Sequence, residues 1–286
     1  LGVPLMMILI GVHLVNRFIF NLNSLEKLNR LLQEKLEEGE RLARIENEIA
    51  IARKIQLANV PRTLPELKGF TIAVKYIPAE NISGDFYNFH AFEDDRLGVL
   101  IADVTGHGIP ASLIASMVKI LFSTLTPLYS SPGLFIRGLN SHLYDKMEGN
   151  LLTAGYFYIN RRDKKVHYAR AGHEPLLHVS RRNGAVALDE YMPQGRVIGV
   201  DDSMEPELAE FEIDNGDRIV AYTDGLVEAV NVNREMFGLD RLKSLIIESA
   251  GFSIDDAVEY IFRKLQQWRS SVQFDDDFTL IMIDIV

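Results

Sequence analysis

The chain contains no cysteine. That excludes disulfides, zinc–thiolate centres and a cysteine nucleophile, and it agrees with a reducing compartment. Basic charge is also short. Thirty Lys and Arg stand against 40 Asp and Glu, for a formal net charge of −10, and no basic block stands out. No nucleic-acid partner is expected from such a balance. Three further signatures are missing: a Walker A loop, a G-x-S-x-G nucleophile turn, and His pairs at zinc-binding spacing, His107 and His173 being isolated.

Charge is absent again from the opening run "LGVPLMMILIGVHLV", where polar residues begin only at Asn16 and Arg17. A full membrane span needs about 20 apolar residues. The run is shorter, and reads as the end of a transmembrane helix over residues 1–20, in contact with the membrane through 1–16. Arg17, Lys27 and Arg30 follow it, which favours a cytoplasmic exit and an inner-membrane protein with its catalytic part in the cytoplasm. A signal peptide fits poorly, because a basic leader and a small-residue cleavage site are both lacking. A buried packing helix is the alternative.

Residues 22–58 lack proline and hold one glycine, Gly39. Leu25, Leu28 and Leu32 repeat at coiled-coil spacing, and Leu42, Ile45, Ile49 and Ala52 do so in another register, with the slip near Gly39. Residues 21–60 therefore read as a helical linker that forms a parallel homodimer, or as an amphipathic helix lying on the next domain. Pro61 and Pro65 end it.

With 286 residues, 47% of them hydrophobic, the chain can hold one large core plus this extension. Residues 61–286 read as that domain. Strands are predicted at 70–77, 96–103, 152–160, 165–170, 174–180, 207–213 and 217–223, with a final one in "FTLIMIDIV". A turn is predicted at Asn183-Gly184, and helices at 109–126, 133–147, 238–250 and 254–270. Paired helices between runs of strands point to an α+β protein with antiparallel sheets and segregated helices.

The chemistry lies at strand ends. Asp103 follows the apolar "VLIA" and opens "DVTGHG"; Asp224 follows "RIVAYT" and opens "DGLVEA"; Asp276 precedes the last strand; Asp85 lies in "SGDFYN". Each alone reads first as a turn or cap residue. Together, carboxylates without nearby Lys or Arg would repel strongly in a cleft, and hard divalent cations remove that cost. All-oxygen ligation suits Mg²⁺ or Mn²⁺, and two such ions can share a carboxylate, activate a water and grip phosphoryl oxygens.

"EIAIARKIQLANVP", "SGDFYN", "DVTGHGIPA", "AGHEPLL", "YTDGLVEA" and "DDDFTLIMI" occur in an order and spacing that resembles the bacterial PPM-type serine/threonine phosphatases, in the branch of SpoIIE and RsbU. The resemblance covers residues 48–286. It implies a sandwich of two antiparallel sheets flanked by helices, behind a long N-terminal helix, with two Mn²⁺ or Mg²⁺ ions at one end. It makes Asp103 the carboxylate bridging both ions and the Val104 carbonyl a ligand. Asp224 and Asp276 become ligands of the other ion, Asp85 an acidic group near the first, and Asp277 the support behind the last ligand. Which of Asp276 and Asp277 binds directly turns on the alignment of adjacent aspartates. Distant members carry a general acid near the loop of His107, for which a structural role is equally open; His173 reads as shaping its loop. Asn88 stands where Asp is common, which could weaken the first ion's site. The implied substrate is a phosphoserine or phosphothreonine on a regulatory protein, an anti-sigma-factor antagonist, with control through the N-terminal helix. A regulatory module without catalysis and a hydrolase of small phosphate esters are the rivals.

Overall fold

The computed structural model describes residues 2–57, 60–61, 63–79, 83–106, 108–182, 185–270, 274 and 276–286. His107 and the turn at Asn183-Gly184 lie outside them. The chain divides into two units, Leu1–Ile51 and Ala52–Val286.

The first unit is helical, belonging to α1 (Gly2–Leu57), a single helix of 56 residues. At 1.5 Å per residue this rod is roughly 84 Å long. Gly39 does not interrupt it. Its apolar segment is long and apolar enough to cross a membrane. Leu25, Leu28, Leu32, Leu42 and Ile45 are all exposed.

The second unit stacks four layers. One antiparallel sheet runs β1 (Phe70–Ile77), β10 (Phe278–Ile285), β9 (Arg218–Tyr222), β6 (Leu176–Arg182), β7 (Ala185–Tyr191). The other runs β2 (Phe86–Ala91), β3 (Arg96–Val104), β4 (Leu152–Asn160), β5 (Lys165–Ala171), β8 (Leu208–Glu212). Helices α2 (Ile109–Thr124) and α3 (Pro132–Leu143) cover the second sheet. Helices α5 (Leu239–Glu248) and α6 (Ile254–Arg269) cover the first, and a short α4 (Asp224–Val227) follows β9. The antiparallel sheets with segregated helices expected from the sequence are present, arranged as the flanked sandwich that the resemblance implies; β2, β7 and α4 are additional to the predicted elements.

Strand alternation sorts the core into layers. Along β3, Leu97, Val99 and Ile101 enter the space between the sheets, while Leu100, Ala102 and Val104 face α2 and α3. Along β10, Ile281, Ile283 and Ile285 face inward and Phe278, Leu280 and Met282 face the helices. The inner layer is apolar through the middle of the sandwich. At one end its alternation runs on into Asp85, Asp103, Thr153, Thr223, Asp277 and Thr279, where hydrocarbon gives way to carboxyl and hydroxyl groups.

Candidate metal centre

Asp103 continues the inward face of β3 beyond Ile101 and pairs in register with Thr153 of β4. Burial pushes its carboxyl up to about 10, and Asp85, Asp224, Asp276 and Asp277 add to the shift. Every charge named among these neighbours is another carboxylate, so each disfavours the ionised form of the next.

Asp85 is almost fully buried. Its Oδ2 accepts from the hydroxyls of Thr223, at 2.8 Å, and Thr279. Its Oδ1 is buried without a hydrogen-bond partner, a costly state for a carboxylate oxygen. Burial, then Asp277, raises its pKa well above the carboxylate range.

Asp224 opens α4, directly after Thr223. Burial pushes it up to about 6, with Asp276, Glu228 and Glu174 contributing. The two adjacent aspartates before β10 differ. Asp277 is buried and spends both oxygens on backbone: Oδ1 accepts from the Ala79 N–H at 2.9 Å and Oδ2 from the Gly84 N–H at 2.6 Å. Asp276 is exposed, and its Oδ1 accepts from the Asp277 N–H at 2.8 Å. Asp275 lies outside the described residues.

Two glycines allow the loops to meet. A Cβ on Gly84 would stand 2.9 Å from the Val104 carbonyl oxygen and 3.4 Å from Asp103 Oδ1. One on Gly225 would stand 1.9 Å from the Asp277 carbonyl oxygen. The Val104 N–H in turn reaches the Gly84 carbonyl at 3.4 Å. The sequence pattern Gly-Asp in "SGDFYN" and Asp-Gly in "TDGL" thus marks backbone contacts between loops far apart in the chain.

Of the residues singled out from sequence, Asp85, Asp103, Val104, Asp224, Asp276 and Asp277 come together; Asn88 does not. Asn88 pairs with Leu100, which faces α2 and α3, and so lies on the opposite face of β2 from the carboxylates. Thr223 and Thr279, which orient Asp85, were not found from sequence. Their inward parity next to an Asp and within "DFTL" is the signal that could have exposed them.

The donor set fits hard divalent cations: carboxylates and a backbone carbonyl, no sulfur, and a buried carboxylate oxygen lacking any other partner. Among the described residues no three His, Asp or Glu side chains close into a ready ligating group. The carboxylates converge on one end of the sandwich.

The chain belongs to the SpoIIE family: the family model described as "Stage II sporulation protein E (SpoIIE)" matches residues 93–286, about two-thirds of the chain. It is accordingly a PPM-type protein phosphatase, a hydrolase. The match begins after Asp85. The phosphoserine phosphatase RsbU of Bacillus subtilis is 29% identical over 240 residues, spanning 84% of this chain and 70% of RsbU. Among solved structures, the SiaA-PP2C domain of Pseudomonas aeruginosa superposes with a TM-score of 0.74 at 18% identity, covering 85% of this chain and 98% of that one. RsbX, solved in complex with magnesium, gives a TM-score of 0.58 at 19% identity over 78% of this chain and 99% of its own. These likenesses agree with the two-sheet fold.

Proposed function

We propose that this phosphatase is metal-dependent, and that it hydrolyses phosphoserine or phosphothreonine on a regulatory protein of the anti-sigma-factor-antagonist kind. The observation that carries the reading is the end of the inner layer, where Asp85, Asp103, Asp224 and Asp276 repel one another and Asp85 Oδ1 is buried without a partner.

Two Mn²⁺ or Mg²⁺ ions, when bound, supply an activated water and neutralise phosphoryl oxygens. Asp103 would bridge them. Asp224 and Asp276 would hold one ion; Asp85 and the Val104 carbonyl would serve the other. Asp277, with both oxygens engaged by backbone N–H groups, suits the support of Ala79 and Gly84 better than ligation. That division of labour favours Asp276 as the direct ligand. Thr223 and Thr279 orient Asp85. A general-acid role for His107 remains part of the proposal and rests on the resemblance alone.

The exposed apolar positions of α1 support the remaining parts of the reading. Its first segment would anchor the chain in the inner membrane with residues 61–286 in the cytoplasm. The leucine stripe over residues 21–60 would pair two copies and pass control to the catalytic unit, since a lone helix cannot bury such a stripe.

Hydrolysis of a chromogenic phosphate ester with and without Mn²⁺ tests the catalytic core, with Asp103→Asn as the control. Full activity after exhaustive chelation would overturn the metal mechanism. A panel of phosphorylated proteins set against phosphorylated metabolites tests the substrate class.

A further inference from the structure

His173, in the segment "AGHEP" after β5, has no role in the chemistry proposed above, yet it is buried beside the metal centre. Its position is fixed from several sides. Gly172 before it has φ of +66°, and Ala154 of β4 bridges to Gly172, which lays the segment alongside the start of β4. The Arg170 guanidinium donates to the His173 carbonyl. The Tyr168 hydroxyl donates to the Glu174 carbonyl at 3.1 Å. Gly155 leaves the imidazole its space: a Cβ there would stand 3.3 Å from His173 Cδ2.

What the ring touches is more telling than what holds it. His173 Nδ1 lies 2.9 Å from Thr153 Oγ1. The same hydroxyl lies 3.5 Å from the backbone carbonyl of Asp103, its in-register partner across the β3–β4 ladder. The imidazole's Nε2 is buried without a hydrogen-bond partner, so Thr153 is the ring's one hydrogen-bonding contact among the described residues. The ring therefore stands behind Thr153, at the end of the β3–β4 ladder that carries Asp103. Burial, with Arg170 adding to it, lowers its pKa to about 3, so the ring is neutral at any working pH and cannot shuttle protons there.

We propose that His173 is a positioning residue for the metal centre: through Thr153 it fixes the backbone of Asp103 at the end of β3. This rests on the reading of Asp103 as a metal ligand. The ring acts on how well the site is preformed for its cations, as outer partners of ligands do.

The test is made on the full chain, with Mn²⁺ binding followed by the electron-paramagnetic-resonance signal of free Mn²⁺ and, separately, turnover of a chromogenic ester. His173→Leu is expected to weaken Mn²⁺ binding about 10–100-fold while turnover at saturating Mn²⁺ and the shape of the pH profile are kept. His173→Asn, whose amide can reach the place of Nδ1, should recover most of the affinity. Thr153→Val should give the same loss as His173→Leu, and the double variant should add little to either. Unchanged Mn²⁺ affinity in folded His173→Leu and Thr153→Val would overturn the proposal, as would additive losses in the double variant. Lost turnover with a displaced pH profile would make His173 an acid–base group and overturn it as well. Should His173→Leu fail to fold, Thr153→Val decides alone. A wild-type chain that binds Mn²⁺ but hydrolyses nothing would fail the catalytic reading and leave this one standing on its binding data.

Discussion

Asp103 pulls stability and activity in opposite directions. Its carboxyl, pushed up to about 10 by burial and by neighbouring carboxylates, is a liability when no cation is bound. Asp103→Asn should therefore abolish Mn²⁺-dependent turnover, by on the order of 10² or more, and yet melt higher than wild type in chelator. A gain of 1 kcal/mol corresponds to about 2–4 °C for a unit of this size. Calorimetry in chelator, beside the ester assay, reads both signs. A variant that is inactive and also less stable without metal would contradict the repulsion argument. His173 gives a pH dependence of definite sign. Its folded pKa of about 3 lies below the ordinary 6.5. Between those values the unfolded chain binds a proton that the folded chain refuses, so stability is full above pH 6.5 and falls as the pH drops below it. Thermal melts between pH 7 and 5 should show a smaller acid loss in His173→Asn than in wild type.

At the scale of elements, α1 offers the sharpest handle. A Cβ at Gly39 would meet no atom within 4 Å, so Gly39→Leu should be accommodated and should stiffen the helix by about 1 kcal/mol. Basal turnover is expected to change several-fold, because the variant would favour one packing of the proposed helix pair, with no proposed metal ligand touched. Leu32→Asp and Ile49→Asp should shift the mass in solution toward the monomer by light scattering. Monomers with unchanged turnover in all three would reduce α1 to a passive tether. Elements also differ in how far they were legible from sequence. The inner strands β3, β4, β9 and β10 were, because burial on both faces makes continuous apolar runs. β7 was not: "AVALDEY" is an exposed edge with little inward face to leave a pattern. α4 has only four residues, too few for any periodicity. Asp103, Asp224 and Asp276 were legible because each stands at an end of an apolar run, and Asp85 through its Gly-Asp motif. The division between Asp276 and Asp277 was not, since it depends on the backbone N–H groups of Ala79 and Gly84, which lie nearly the whole unit away in sequence.

For the whole molecule, the proposed cation binding would be linked to folding. Mn²⁺ at about 100 times its dissociation constant should stabilise the catalytic unit by about 2.7 kcal/mol, seen as a rise in melting temperature that chelator reverses and that Asp103→Asn lacks. Turnover should leave no phosphorylated residue on the chain, since in the proposed mechanism a metal-activated water is the attacking group; acid-quenched protein with labelled substrate would show a trapped phosphate if this is wrong. The register Phe70↔Ile285 to Ile77↔Phe278 joins the first strand of the unit to the last, and the Gly84–Asp277 hydrogen bond closes a separation of 193 residues. Such distant partners meet late, because the closure entropy must be met before the contact rewards it. On the ribosome, then, the helices and the second sheet can form while the active end is still unmade. Phosphatase activity would appear abruptly, only once the last strand has cleared the exit tunnel and closed the first sheet between β1 and β9.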